Sequence, residues 1–138
     1  MTQLELKNHP CWQNLTEFFT NIDDALAREH LEICDYKVCG YWDEEDKYYE
    51  EIILPRNLEI ELITSSIGIT RNKRFLQVKY FLVSATNTDN GNSEQFEVNG
   101  NIGELNLIYD ENLEFIDENW LLNIKSPCLV VKHPITEN

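Results

Sequence analysis

The sequence contains four cysteines and three histidines, the side chains most often used to bind metal ions or to act as nucleophiles and bases. Cys34 and Cys39 are five residues apart in a segment that we predict to be a strand, so they point to opposite faces and cannot bind one metal ion there. The chain has no Cys-x-x-Cys motif, no Gly-x-Ser-x-Gly motif and no glycine-rich nucleotide loop. We therefore predict no catalytic residue, no metal site and no cofactor. We interpret the cysteines as small buried apolar side chains, and His9, His30 and His133 as exposed structural residues.

Carboxylates are the most abundant side chains that could take part in acid–base chemistry. The chain has 25 acids against 11 lysines and arginines, and a net charge of −14. Two acids on facing sides of a cleft could perform glycosidase-type acid–base chemistry. With acids this frequent, neighbours such as Glu59 and Glu61 are expected without catalysis, and on a strand both lie opposite an apolar face, which is typical of a solvated surface. This favours a protein that is not an enzyme.

The acids are unevenly distributed along the chain. No lysine or arginine occurs between Lys79 and Lys125, and residues 89–118 contain nine acids. Residues 41–51, YWDEEDKYYEE, place six acids beside four aromatic rings. A field of one sign repels phosphates and anionic membranes and attracts basic proteins. Rings surrounded by charge are typical of protein-binding surfaces, although an acidic surface that only confers solubility is the simpler alternative.

We therefore predict a non-enzymatic acidic module that occludes a basic protein partner, such as a nuclease, a toxin or another nucleic-acid-binding protein. Immunity proteins, inhibitors, DNA mimics and secretion chaperones act in this general way. We expect no direct contact with nucleic acid or membrane, and we leave a homo-oligomer open. The alternative is a small-molecule-binding protein or enzyme with a pocket between a helix and a curved sheet. The predicted partner-binding residues are Trp42, Asp43, Glu44, Glu45, Asp46, Tyr48, Tyr49, Asp110, Glu111, Asp117 and Glu118.

The first segment is predicted to be helical. Apolar residues recur at three-and-four spacing from Trp12 to Leu26, which is typical of an amphipathic helix. Pro10 suits the first turn, because its missing N–H needs no intrahelical partner there. We place the helix at about residues 10–30.

From about residue 32 to residue 133 the apolar period changes to two, which predicts strands. Thr70–Lys73, Asn90–Gly91 and Asn99–Gly100 are hairpin signals. Tight hairpins leave little room for crossover helices, so the sheet is predicted to be antiparallel. The sequence therefore predicts an α+β fold in a single domain over residues 1–138. In it, one N-terminal amphipathic helix packs on a curved, meander-rich antiparallel sheet of about six to eight strands.

Several details of the sheet follow from side-chain alternation. Residues 75–83 are apolar on both faces, which predicts a long central strand. Alternation from residue 34 places Trp42 on the inward face with Tyr36 and Val38. Residues 44–53 fit either a helix or a strand. Asp-Glu-Asn occurs twice, at residues 110–112 and 117–119, and both copies are predicted to be polar turns.

The N-terminal segment MTQLELKNHP has no basic region followed by an apolar one, and no apolar run approaches the length of a membrane span. We therefore expect the protein in the cytoplasm, where its cysteines would be reduced.

Overall fold

A computed structural model describes residues 6–84 and 101–134 and confirms an α+β fold with antiparallel sheets. β1, β2 and β7 form one sheet in the order β1-β2-β7, and β3 to β6 form a four-stranded meander. The elements in chain order are α1 (Cys11–Ile22), α2 (Ala25–Ile33), β1 (Lys37–Trp42), β2 (Tyr48–Ile53), β3 (Leu58–Ile69), β4 (Arg74–Ser84), β5 (Asn101–Asp110), β6 (Phe115–Leu122) and β7 (Val130–Lys132).

The helix predicted over residues 10–30 consists of two segments, α1 and α2, which meet at a bend. Asp23 ends α1 with a φ of 35°, and its N–H donates to the Phe19 carbonyl at 2.9 Å. The Asp23 carbonyl accepts a hydrogen bond from the Tyr80 hydroxyl at 2.9 Å. Tyr80 is fully buried, so its hydroxyl needs a partner inside the protein. The bend therefore satisfies a tertiary contact that the apolar spacing of the helix does not reveal.

β4 is the central strand of the larger sheet, because β3 and β5 pair with it on either side. The side chains of its opposite face, such as Phe75 and Phe81, are half-buried. This confirms the prediction of a long central strand. The buried side chains of its inner face, which share a core with both helices, are Leu76, Val78, Tyr80 and Leu82.

The turn between β3 and β4 lies where the sequence predicted it. The Thr70 N–H donates to the Lys73 carbonyl at 2.8 Å, and the Lys73 N–H donates to Thr70 Oγ1 at 3.0 Å. The other two predicted turns, Asn90–Gly91 and Asn99–Gly100, and a short strand expected around residues 96–98 lie outside the described residues.

The curved sheet that we predicted is divided into two. β2 and β3 are separated by a connection that contains Pro55, which has no N–H to continue a ladder. β7 then pairs with β2 rather than with β6. The two sheets are joined where the Leu122 N–H donates to the Tyr41 hydroxyl at 2.9 Å, and both contribute to one buried core.

Trp42 is not on the inward face, contrary to the prediction from alternation. β1 buries Val38 and Tyr41, because Gly40 between them has a φ of 72° and interrupts the alternation. Glycine adopts this conformation without steric cost. Tyr36 is buried as predicted, whereas Trp42 is 61% exposed.

Two other local questions are settled by the strands. Residues 48–53 form β2, so the ambiguous segment is a strand and not a helix. The first Asp-Glu-Asn sequence begins a turn at Asp110, as predicted. The second lies inside β6, where Asp117, Glu118 and Asn119 pair with β5, so the prediction of a second turn is wrong.

Candidate functional site

The first acidic stretch forms the hairpin between β1 and β2, which we call the Trp42 hairpin (residues 42–48). The Asp43 N–H donates to the Lys47 carbonyl at 3.0 Å. Asp43 Oδ1 accepts the N–H groups of Glu45 and Lys47 at 2.8 and 2.9 Å. Asp46 is left-handed with a φ of 62°, a conformation in which Asp is several-fold enriched among residues other than glycine. The turn is therefore formed by short polar side chains of its own sequence.

The Asp43 carboxylate also connects this turn to the core. Its Oδ2 accepts a hydrogen bond from the hydroxyl of the buried Tyr49 at 2.9 Å. The Lys47 N–H, the Tyr49 hydroxyl and the Glu45 N–H all favour the charged carboxylate, so the pKa of Asp43 lies below its usual value. Burial raises the pKa of Tyr49, and its hydrogen bond to Asp43 raises it further. Asp43 thus has a structural role.

The four aromatic rings of this stretch are divided between core and surface. Tyr41 and Tyr49 are buried, with ring centroids 6.3 Å apart. The exposed Trp42 ring lies 5.0 Å from that of the half-buried Tyr48, centroid to centroid. Residues 44–46 next to it are exposed acids, and within residues 6–84 and 101–134 they form no ion pair. The hairpin therefore presents an apolar ring beside carboxylates that have no ion-pair partner among the described residues.

The second acidic stretch forms the hairpin between β5 and β6, which we call the Phe115 hairpin (residues 109–115). Its turn has the same hydrogen bonds as that of the Trp42 hairpin. The Asp110 N–H donates to the Glu114 carbonyl at 2.9 Å, and Asp110 Oδ1 accepts the N–H groups of Asn112 and Glu114 at 2.8 and 2.9 Å. Leu113 occupies the left-handed position with a φ of 61°.

The side chains of the Phe115 hairpin contact the rest of the molecule. Arg74 Nε donates to Glu111 Oε1 at 2.8 Å. Tyr109 is buried, and its ring centroid lies 6.0 Å from that of Phe115. Phe115 in turn lies 5.0 Å from the His30 ring of α2. This hairpin is therefore anchored to α2 and to the neighbouring turn.

Glu118 lies on the side of β6 that faces α2, and its side chain is 39% exposed. It lies opposite Leu107 in the sheet, and its Oε1 is hydrogen-bonded to His30 Nε2. The His30 side chain is only 12% exposed, so the prediction that all three histidines are exposed is wrong for this one. Asp117 is exposed, and its carboxylate accepts the Glu118 N–H at 2.8 Å.

The two hairpins lie at opposite ends of β5. A shallow cavity of about 440 Å³ places residues 43–45 next to Gly103 near the start of β5 and to Lys125 beyond β6. Asp110 lies seven residues further along β5 than Gly103, about 24 Å at 3.4 Å per residue. The predicted partner-binding residues therefore form two separate acidic surfaces.

A larger open cavity with a volume of about 1320 Å³ lies between α1 and β3. We call it the α1–β3 groove. The exposed side chains of Glu59 and Glu61 border it, which agrees with their prediction as a solvated face. Sequence reasoning proposed a pocket between helix and sheet but did not locate it. The apolar residues that line the groove are Trp12, Leu15, Phe19, Ile60, Leu62, Ile67, Phe81 and Val83.

The described residues show no metal-binding chemistry. Cys34 follows α2 instead of lying on a strand, and Cys39 is exposed, so the interpretation of every cysteine as buried is wrong. Across the described ranges, no cluster of three or more His, Cys, Asp or Glu side chains is placed to hold a metal ion. No helix in this part of the chain combines the length and apolar character that crossing a membrane requires.

Comparison with models of protein families, with curated proteins and with solved structures finds no match to this chain. Its function must therefore be argued from the two hairpins and the groove.

Proposed function

We propose that this protein is a non-enzymatic binding module that docks on a basic protein partner through the Trp42 hairpin. The supporting observation is the exposed Trp42 ring beside three carboxylates, Glu44, Glu45 and Asp46, that form no ion pair within the described part of the chain. Buried aromatic anchors contribute much of the energy of protein interfaces, and surrounding charges accelerate association and select the partner. The carboxylates would occupy positions that phosphates or an acidic substrate take on that partner.

The Phe115 hairpin is less suited to this role, although it is also acidic. Its Phe115 ring contacts His30 and is 49% exposed, less than Trp42, and Glu111 is already paired with Arg74. Asp43, Tyr49 and Asp110 are occupied within their own hairpins. These contacts support a smaller interface than the sequence suggested. The proposed interface residues are Trp42, Glu44, Glu45, Asp46 and Tyr48.

The test is affinity capture from a lysate of the source organism, washed at low and high salt, with the bound proteins identified by mass spectrometry. We expect a basic protein that is retained at low salt and released at high salt, because ions screen exposed charges. Trp42→Ala should weaken binding of this protein by about 30-fold or more, the effect of a hot-spot residue.

Two double variants with the same change in net charge provide the control. Glu44→Lys/Glu45→Lys should abolish capture, whereas Glu111→Lys/Glu114→Lys in the other hairpin should preserve it. Equal losses from the two variants would show that total charge governs binding. A partner that all these variants retain would contradict the proposed interface.

A second candidate function is small-molecule binding in the α1–β3 groove, which its volume of about 1320 Å³ favours. A thermal-shift screen would test it with the wild type and with Ile67→Trp, which fills part of the groove. A ligand of the groove should raise the melting temperature of the wild type only. If no compound distinguishes the two proteins, small-molecule binding in the groove is rejected.

A further inference from the structure

The α1–β3 groove follows the free edge of β3. Within the part of the chain that the structure describes, β3 pairs with β4 alone and is an edge strand of the larger sheet. The groove contacts four consecutive β3 residues, from Glu59 to Leu62. Successive residues of a strand point to opposite faces, so a cavity over one face would contact only every second residue. The groove therefore reaches the edge of β3, where backbone N–H and C=O groups have no neighbouring strand among the described residues, and it extends over the sheet face that carries Phe81 and Val83 of β4.

We propose that the α1–β3 groove binds an extended, basic peptide segment of a partner protein by adding it as a strand to β3. β3 is 12 residues long, about 40 Å, with a register shift between Leu62 and Thr64, and in its regular parts about half of the residues direct their backbone polar groups towards the free edge. Long exposed edges are normally covered, because they pair readily with other chains. In strand addition, the main chain supplies hydrogen bonds and alternate side chains enter pockets beside the edge.

The apolar side of the groove determines which residues are favoured at every second position of the bound peptide. Trp12 on α1 is 48% exposed and Ile67 on β3 is 44% exposed, which leaves apolar area uncovered at the groove. Ile60 and Leu62 are half-buried next to them and line the same cavity. Every second side chain of an added strand would point between α1 and β3, so these positions favour apolar residues.

The charged side of the groove determines which residues are favoured at the remaining positions of the peptide. Glu59 and Glu61 lie on the opposite face of β3 from Ile60 and Leu62, beside their β4 partners Val83 and Phe81. In the described ranges these two acids form no ion pair. Lysine or arginine at alternate positions of the peptide would neutralise them.

A second copy of this chain is disfavoured as the occupant of the groove. An antiparallel pair of β3 edges centred on the groove, near Ile60, would bring Glu59 of each copy opposite Glu61 of the other, and each copy carries a net charge of −14. Like charges across a strand pair are destabilising. The inference narrows the second candidate function from small molecules to peptides, and it does not depend on the Trp42 hairpin.

The test is an NMR titration with the peptide acetyl-Lys-Val-Lys-Ile-Lys-Val-Lys-amide. We expect saturable binding, with shifts concentrated in β3 and α1, and new protection from hydrogen exchange for β3 amides that point to the free edge. The control peptide has the same sequence with N-methyl groups on the residues that face β3. It cannot donate those hydrogen bonds, so it should bind about tenfold more weakly or worse.

Protein variants separate pairing in the groove from general attraction. Glu59→Lys/Glu61→Lys should weaken peptide binding about tenfold, because it reverses two exposed charges that each contribute a fraction of the energy. Glu111→Lys/Glu114→Lys in the Phe115 hairpin carries the same charge change away from both the groove and the Trp42 hairpin, and it should leave peptide binding nearly unchanged. Because all four side chains are exposed, these variants should remain folded, which circular dichroism would verify.

Several results would overturn the inference. They are equal affinity for the two peptides, equal loss in the two double variants, absence of saturable binding, and edge amides of β3 that are already protected in the free protein. A dimer in light scattering that the peptide does not dissociate would assign the edge to a second copy. If the peptide fails while capture through the Trp42 hairpin succeeds, this inference is wrong and the proposed function stands.

Discussion

The Trp42 and Phe115 hairpins have the same turn but different surroundings. Their sequences, WDEEDKY and YDENLEF, both begin with an aromatic residue followed by Asp-Glu and end with another aromatic residue. In each, the Asp carboxylate accepts two backbone N–H groups and the fifth residue is left-handed. One hairpin nevertheless exposes its first ring, and the other buries it.

The difference arises from the strands that lead into each turn. In β1, Gly40 interrupts the alternation, so Tyr41 enters the core and Trp42 is exposed. In β5, Tyr109 pairs opposite the buried Leu76 and follows the inner face of the sheet. The same turn therefore follows an exposed aromatic ring in the Trp42 hairpin and a buried aromatic ring in the Phe115 hairpin.

The largest expected difference between the hairpins is the cost of removing the first ring. Tyr109→Ala should lower the free energy of unfolding by about 3–5 kcal/mol, because it removes a buried aromatic side chain. Trp42→Ala should change it by less than about 0.5 kcal/mol, the range of surface substitutions. Urea denaturation measures both values. A loss from Trp42→Ala as large as that from Tyr109→Ala would contradict the exposed position of Trp42.

Removal of the turn carboxylates should have the next largest effect. Asp110→Ala should cost about 1 kcal/mol through the hydrogen bonds that it loses. Asp43→Ala should cost more, because the buried Tyr49 hydroxyl also loses its acceptor. In a double-mutant cycle by urea denaturation, Tyr49→Phe should reduce the cost of Asp43→Ala. Equal costs at the two positions, with no coupling to Tyr49, would show that the third hydrogen bond adds no stability.

The left-handed residues should differ by a smaller amount. Leu113→Gly should stabilise the protein by about 0.5–1 kcal/mol, because leucine is strained in this conformation. Asp46→Gly should have little effect, since Asp is far more common there. Melting temperatures of the two variants provide the measurement. Destabilisation by Leu113→Gly would mean that the partly exposed leucine side chain contributes more than its backbone strain costs.

The smallest expected effect is on how the stability of the protein decreases at acidic pH. The pKa of Asp43 is lower in the folded protein than in the unfolded chain. Its contribution is therefore complete above the unfolded value of about 3.9 and is lost as the pH falls through the folded-state pKa. Asp43→Asn should thus melt below the wild type at neutral pH, and the difference should shrink in acid. A difference that stays constant from pH 7 to pH 2 would exclude this contribution.

Local patterns were sufficient to predict much of the fold. Apolar spacing predicted the helical segment and the central position of β4, and Thr70 to Lys73 formed the expected turn. The repeated Asp-Glu-Asn letters were misleading, because the second copy lies in a strand. The structural repeat lies between the two hairpins, and its signal is the aromatic–Asp–Glu–x–x–x–aromatic spacing.

The candidate sites were less predictable, because they depend on contacts between residues distant in sequence. The bend in the helix contacts the Tyr80 hydroxyl through Asp23, 57 residues away, and Glu118 contacts His30, 88 residues away. The α1–β3 groove forms because α1 lies beside an edge strand. Which strand is at the edge depends on the strand order, which the sequence did not predict. The charge map identified both hairpins but not which of them was already occupied.

Interactions within a few residues, such as alternation, helical spacing and carboxylate-closed turns, are encoded in adjacent letters and are therefore readable from the chain alone. The faces that remain uncovered after folding depend on packing between elements. Trp42 is exposed because Gly40 interrupts the alternation of β1, and β3 is an edge of the larger sheet among the described residues, in which β7 pairs with β2 in the other sheet. Both outcomes depend on how all the elements pack together in one core, so they cannot be read from any single segment of the sequence.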